Sequence, residues 1–180
     1  MKKIVSLVLL ATLHAAAAAA SSSATPNVPA TLAKTEALAA LPGGAWLALD
    51  KKALRLVGAD GSERASLAIR AEQLDLRPVD GGVLAVIADS NTERVQPVRV
   101  DLAAGTLNAL PPMPEAGFGL EAACMYRDAQ GLDHVFMVGP DGQAQQWLLG
   151  GEGQGGYRLV RRLALPTAVT HCRVDDAHAT

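Results

Sequence analysis

Four basic side chains, Lys51, Lys52, Arg77 and Arg94, stand in or beside turn-forming stretches of this 180-residue sequence. Ammonium and guanidinium groups gathered at one rim hold phosphate groups, arginine through paired hydrogen bonds and lysine as a point charge. Spread over a small surface, the same four would be ordinary solvated cations. A second group, His171, Cys172, Asp175, Asp176 and His178, has the residue types of a metal site. Strand alternation sends Cys172, Asp176 and His178 to one side and His171, Arg173 and Asp175 to the other, and no C-x-x-C spacing is present. Aspartates capping a hairpin account for it better. The stretch 150–156 is glycine-rich, but it introduces a strand and lacks the helix N-terminus that would bind phosphate. No G-x-S-x-G, G-x-x-x-x-G-K or H-E-x-x-H occurs.

The elements that must position these groups come from a repeat. Leu76 and Asp80, Cys124 and Asp128, and Cys172 and Asp176 recur at an interval of 48 residues, each pair an apolar or thiol residue four before an aspartate. That period suits four short antiparallel strands with their turns, the unit of a propeller blade. A β-sandwich also has many short strands, but gives no reason for one fixed interval.

Turn signals divide the chain accordingly. Strands are expected at 36–41, 45–49, 54–57 and 65–69, then at 73–77, 83–88, 95–102 and 106–110, then at 120–127, 135–138, 144–149 and 158–165. In the second set, Val98, Val100 and Leu102 alternate with Arg99 and Asp101, the period of a half-buried strand. Residues 169–174 would open a fourth set. The expected fold is all-β: a partial β-propeller over 34–180, about three four-stranded blades plus the first strand of a fourth. A propeller needs its first and last blades to meet, so the sequence reads as part of a larger ring.

Residues 1–20 read as a secretory signal: Lys2 and Lys3, an apolar run from Ile4 to Leu13, and Ala18-Ala19-Ala20 before Ser21. The apolar run is shorter than the roughly 20 residues of a membrane span. Residues 21–33 form a linker rich in Ser, Thr, Pro and Ala. The product is expected outside the cytoplasm, secreted or periplasmic, with no membrane partner. Without Lys2 and Lys3 it carries 14 basic and 18 acidic side chains, a net charge of −4, so no nucleic-acid footprint is expected. Aromatics are 3% of the chain, so the core must be Leu, Val and Ala. The repeat places Cys124 and Cys172 at equivalent points of neighbouring inner strands, and two readings stay open: a disulfide, or two buried thiols.

Several strings together resemble the β-propeller phytases, secreted calcium-dependent enzymes that hydrolyse phosphomonoesters of myo-inositol hexakisphosphate. They are Asp50-Lys51-Lys52-Ala53-Leu54, Leu74-Asp75-Leu76-Arg77, Ala88-Asp89-Ser90-Asn91, Gly105-Thr106-Leu107, Met137-Val138 leading to Asp141-Gly142, and Val174-Asp175-Asp176. The resemblance spans about 35–180, the first half of a six-bladed ring. It implies calcium as cofactor, phytate or lower inositol phosphates as partners, and Lys51, Lys52 and Arg77 as phosphate contacts. Arg94 stands two residues late as a substitute for the family's arginine, because Ser90-Asn91 is followed by Thr92. Glu121, Pro140 and Thr170 replace a tyrosine, a lysine and an acidic residue of the family pattern. Such drift resembles the incomplete N-terminal propeller of tandem-domain members, which implies a second C-terminal propeller as a further partner. Hydrolysis by this chain alone is expected to be weak or nil. A non-catalytic module that binds inositol phosphates or a partner domain is the alternative.

Overall fold

The computed structural model describes residues 28–150 and 156–174. The signal segment 1–20, linker residues 21–27, the glycine-rich stretch 151–155 and the tail with Asp175, Asp176 and His178 lie outside them. Twelve strands form three four-stranded antiparallel meanders in chain order. Blade one holds β1 (Ala37–Ala40), β2 (Trp46–Leu49), β3 (Ala53–Val57) and β4 (Glu63–Ala68). Blade two holds β5 (Leu74–Val79), β6 (Gly82–Asp89), β7 (Arg94–Asp101) and β8 (Thr106–Ala109). Blade three holds β9 (Ala122–Arg127), β10 (Asp133–Val138), β11 (Gln143–Leu149) and β12 (Tyr157–Ala164). The protein is an all-β partial propeller.

Alternation along β6 shows how the wedges stack. Val83, Ala85 and Ile87 join a core shared with Leu47, Leu49, Leu54 and Leu56 of blade one. Leu84, Val86 and Ala88 turn the other way, into a core with Met125, Val135, Met137 and Trp147 of blade three. A strand buried on both faces must be apolar at nearly every position, which is how residues 83–88 read. Inner strand β5 lies against β9, and outer strand β4 against β8. A third, smaller core covers the outward face of blade one, where Leu32 of a short 3-10 turn packs on Trp46, Ala48 and Val57.

Close backbone approach decides two glycines. A Cβ on Gly82 would stand 1.9 Å from the carbonyl oxygen of Val100 in the paired strand, which no side chain permits. Gly142 has φ +79°, and a Cβ there would lie 2.7 Å from Leu165 O. The tight β10–β11 turn is what allows the exit from β12 to pass beside it.

Residues 165–174 leave β12 and reach the inner strands. Thr170 O accepts from Gln73 Nε2 at 2.7 Å and Val174 O from Arg77 at 3.2 Å. Cys172 is disulfide-bonded to Cys124, with Cα atoms 5.4 Å apart. Of the two readings open for the cysteines, the bond is the one found. The segment takes the place of the next blade's inner strand but enters no ladder, because no described strand lies on its far side.

Candidate functional site

In an antiparallel meander the β2–β3, β6–β7 and β10–β11 turns emerge at the same end of their blades. The segments crossing between blades lie there too: Ile69 N donates to Lys52 O, Ser90 N to Arg70 O, and Glu121 N to Val138 O. Lys51, Lys52 and Arg94 belong to this face.

Asp50 builds the lysine turn. Its Oδ1 accepts from the main-chain N–H of Lys52 at 2.8 Å and of Ala53 at 2.9 Å, and Arg55 stands 3.1 Å from Oδ2. The Lys52 N–H above all holds the Asp50 carboxyl below its ordinary value, against the opposing pull of partial burial. The turn is therefore rigid at its base and free at its tip. The Lys51 side chain is 82% exposed, with Glu36 at 3.9 Å as a loose, solvent-screened partner. Lys52 is exposed beside it. Two ammonium groups on one short turn can hold a phosphate by charge.

Arg94 is differently placed. It opens β7 and its guanidinium is bonded to Glu115. Glu115 lines a cleft of about 550 Å³ between residues 90–93 and 115–118. The hydroxyls nearby are occupied: Ser90 donates to Arg70 O, and Thr92 to Asp89 Oδ2. Glu93, whose φ of +52° is in the left-handed region, adds a second carboxylate to the cleft wall. The cleft thus opposes an anion rather than inviting one.

Arg77 is not at this face. It is the fourth residue of β5, about 10 Å along the strand from Leu74 at the turn end. Its guanidinium meets Asp75 Oδ1 at 3.0 Å, Leu76 O at 2.8 Å, Met125 O at 2.6 Å and Val174 O at 3.2 Å. Asp75 Oδ2 in turn accepts from Met125 N at 2.8 Å. Arg77 ties β5, β9 and the segment after β12 together at the hub, and its Nη1 and Nη2 groups donate to protein oxygens. Of the four cations read from the sequence, the structure brings Lys51 and Lys52 together, holds Arg94 against a carboxylate, and sets Arg77 into the scaffold.

The drifted positions fall on the same face. Glu121 and Pro140 are exposed next to the β10–β11 turn, while Thr170 Oγ1 stands 3.0 Å from His171 Nδ1. One cluster went unread in the sequence. On the side of blade three turned away from blade two, Arg161 Nε donates to Gln146 Oε1 at 2.7 Å. Gln146 Nε2 lies 3.1 Å from His134 Nδ1, and His134 Nε2 3.0 Å from Asp128 Oδ2. The His134 bond first, then the Leu132 N–H, keeps the Asp128 carboxyl below its ordinary value. Both imidazole nitrogens are engaged, so the chain of bonds is a brace and not a general base. Its only sequence signal is a histidine six after an aspartate across a hairpin.

The described residues do not fit a calcium ion. Calcium takes six to eight oxygens. Among the described residues no three of His, Cys, Asp and Glu come together as a metal-holding group. Two of the turn aspartates are filled: Asp89 by Asn91 N–H and Thr92, Asp50 by its own turn.

No protein-family model matches the chain, and no curated protein matches it. Solved structures do. A protein of unknown function from Bacteroides caccae is 16% identical with a TM-score of 0.51, over 79% of this chain and 50% of its own. A Lactobacillus plantarum protein has 16% identity and a TM-score of 0.51, over 71% and 40%. The Cps50 (Swd1) β-propeller domain of Myceliophteria thermophila has 20% identity and a TM-score of 0.50, over 74% and 44%. The chain spans half or less of the length of these structures, and the likeness shows its fold: a partial β-propeller.

Proposed function

We propose that this chain belongs to an exported, phytase-like propeller protein and that its own part is to hold phosphate groups of phytate or lower inositol phosphates, without hydrolysing them alone. The observation that carries this reading is the Asp50-anchored turn, which presents Lys51 and Lys52 together at the face where the inter-blade segments cross. A polyphosphate is a suitable ligand for two adjacent ammonium groups, because neighbouring phosphates give charge density that a single carboxylate lacks. The disulfide between Cys124 and Cys172 supports an oxidising compartment such as the periplasm or the exterior.

Calcium chemistry, in this reading, belongs to residues other than those described, since no metal-holding group of His, Cys, Asp and Glu comes together among the described residues. The alternative, a non-catalytic module for inositol phosphates or a partner domain, rests on the drifted positions Thr92, Glu121, Pro140 and Thr170. Phosphate release from phytate, measured for the full chain with and without calcium, tests for hydrolysis, and phytate binding by the same chain tests the phosphate-holding role. The proposal expects binding and no turnover by this chain; a failure to bind phytate at low salt would remove it, and calcium-dependent turnover would show that hydrolysis lies within these 180 residues.

A further inference from the structure

We propose that the free edge of β12 is a docking strand for an acidic, extended peptide segment of another protein, which adds to blade three as a fifth strand. Among the described residues β12 is the outermost strand of its sheet and pairs only with β11, so one row of its main-chain groups faces outward. At eight residues it is longer than the outer strands of the other blades, six in β4 and four in β8, and none of its residues is buried. Val160 is 40% exposed and Leu165, just beyond the strand, 37%.

Charge selects the partner. Arg55, Arg64, Arg77, Arg94 and Arg127 each meet a carboxylate. Arg158, Arg161 and Arg162 meet none among the described residues, and no acidic residue occurs from 156 to 174. Register sets them on both faces of the edge: Arg158 and Arg161 opposite Leu148 and Gln146, Arg162 opposite Gln145. A strand laid along this edge places its side chains alternately on those two faces. Glutamates or aspartates there meet guanidinium groups, while its amides complete the outer ladder. A second copy of this edge is excluded by repulsion between like charges. The outer strand stays at the perimeter whether or not further blades complete a ring, so the proposal does not rest on the phosphate reading.

The test is fluorescence polarisation with the full chain and a labelled decapeptide built on a Glu-Glu-Val-Val repeat, which carries glutamate on both faces when extended. Binding is expected, at least tenfold weaker with Arg158→Glu/Arg162→Glu and with a peptide N-methylated at every second amide. Circular dichroism checks that the variant is folded, and Arg158→Gln/Arg162→Gln serves in its place if it is not. No binding by the parent protein, equal binding by the folded variant, or equal binding of the N-methylated peptide would overturn the proposal. So would tighter binding of a single-stranded oligonucleotide, which would assign the edge to nucleic acid.

Discussion

Arg77 Nη2 donates to the main-chain oxygen of Met125, one repeat further along the chain, across 2.6 Å. The same nitrogen reaches Val174 O in the segment that follows blade three. One side chain therefore joins the inner strands of successive wedges. Replacing it should act on stability before function: with its side chain only 14% exposed, Arg77→Ala leaves Asp75 without its cation and removes a donor from three carbonyls. Leu76 O, Met125 O and Val174 O all lose the guanidinium, and the expected cost is about 3 kcal/mol. Urea unfolding checks it, and phytate affinity of the folded variant should match the parent.

The disulfide gives a second prediction. Cys124 and Cys172 are separated by 48 residues, and cross-linking a loop of that length restricts the unfolded chain by about 4 kcal/mol in the entropic account. The native protein should not react with a thiol reagent. Cys124→Ser/Cys172→Ser should lower the urea midpoint, and free thiols in protein prepared under oxidising conditions would contradict the assignment.

Acid should loosen blade three through Asp128. Its carboxyl lies below the ordinary value of 3.8 in the folded protein, chiefly through the bond to His134. The folded state therefore binds fewer protons than the unfolded state as pH falls. This stabilisation is full well above pH 3.8 and is lost as pH drops through the lower folded value. Asp128→Asn should make the acid limb of the stability curve shallower. Unfolding midpoints between about pH 2 and 5 measure the difference.

Much of this arrangement was legible in the sequence, and the limits have physical causes. Alternation in 95–102 and turn pairs such as Asp60-Gly61 placed strands close to where they lie, because period and punctuation are local properties. The repeat put Cys124 and Cys172 at matching positions; whether they bond depends on the separation of two strands, which no local pattern carries. Residues 169–174 have strand-like composition and an inner-strand location, yet form no ladder, since pairing needs a neighbour. Arg77 shares the residue type and setting of a surface cation, and its role emerges only once Met125 and Val174 are brought beside it. Gln145, Gln146 and His134 are buried, although polar residues in a strand read as outward-facing. Their partners, Ala116 O and Asp128 among them, come from other elements.

The central claim concerns Lys51 and Lys52, and calorimetry tests it most directly. Phytate titrated into the full chain at low salt should bind, more weakly as salt rises. Lys51→Ala/Lys52→Ala should lower the affinity at least tenfold while leaving the unfolding free energy within about 0.5 kcal/mol of the parent, as expected for exposed side chains. Unchanged phytate affinity in that folded variant would contradict the account.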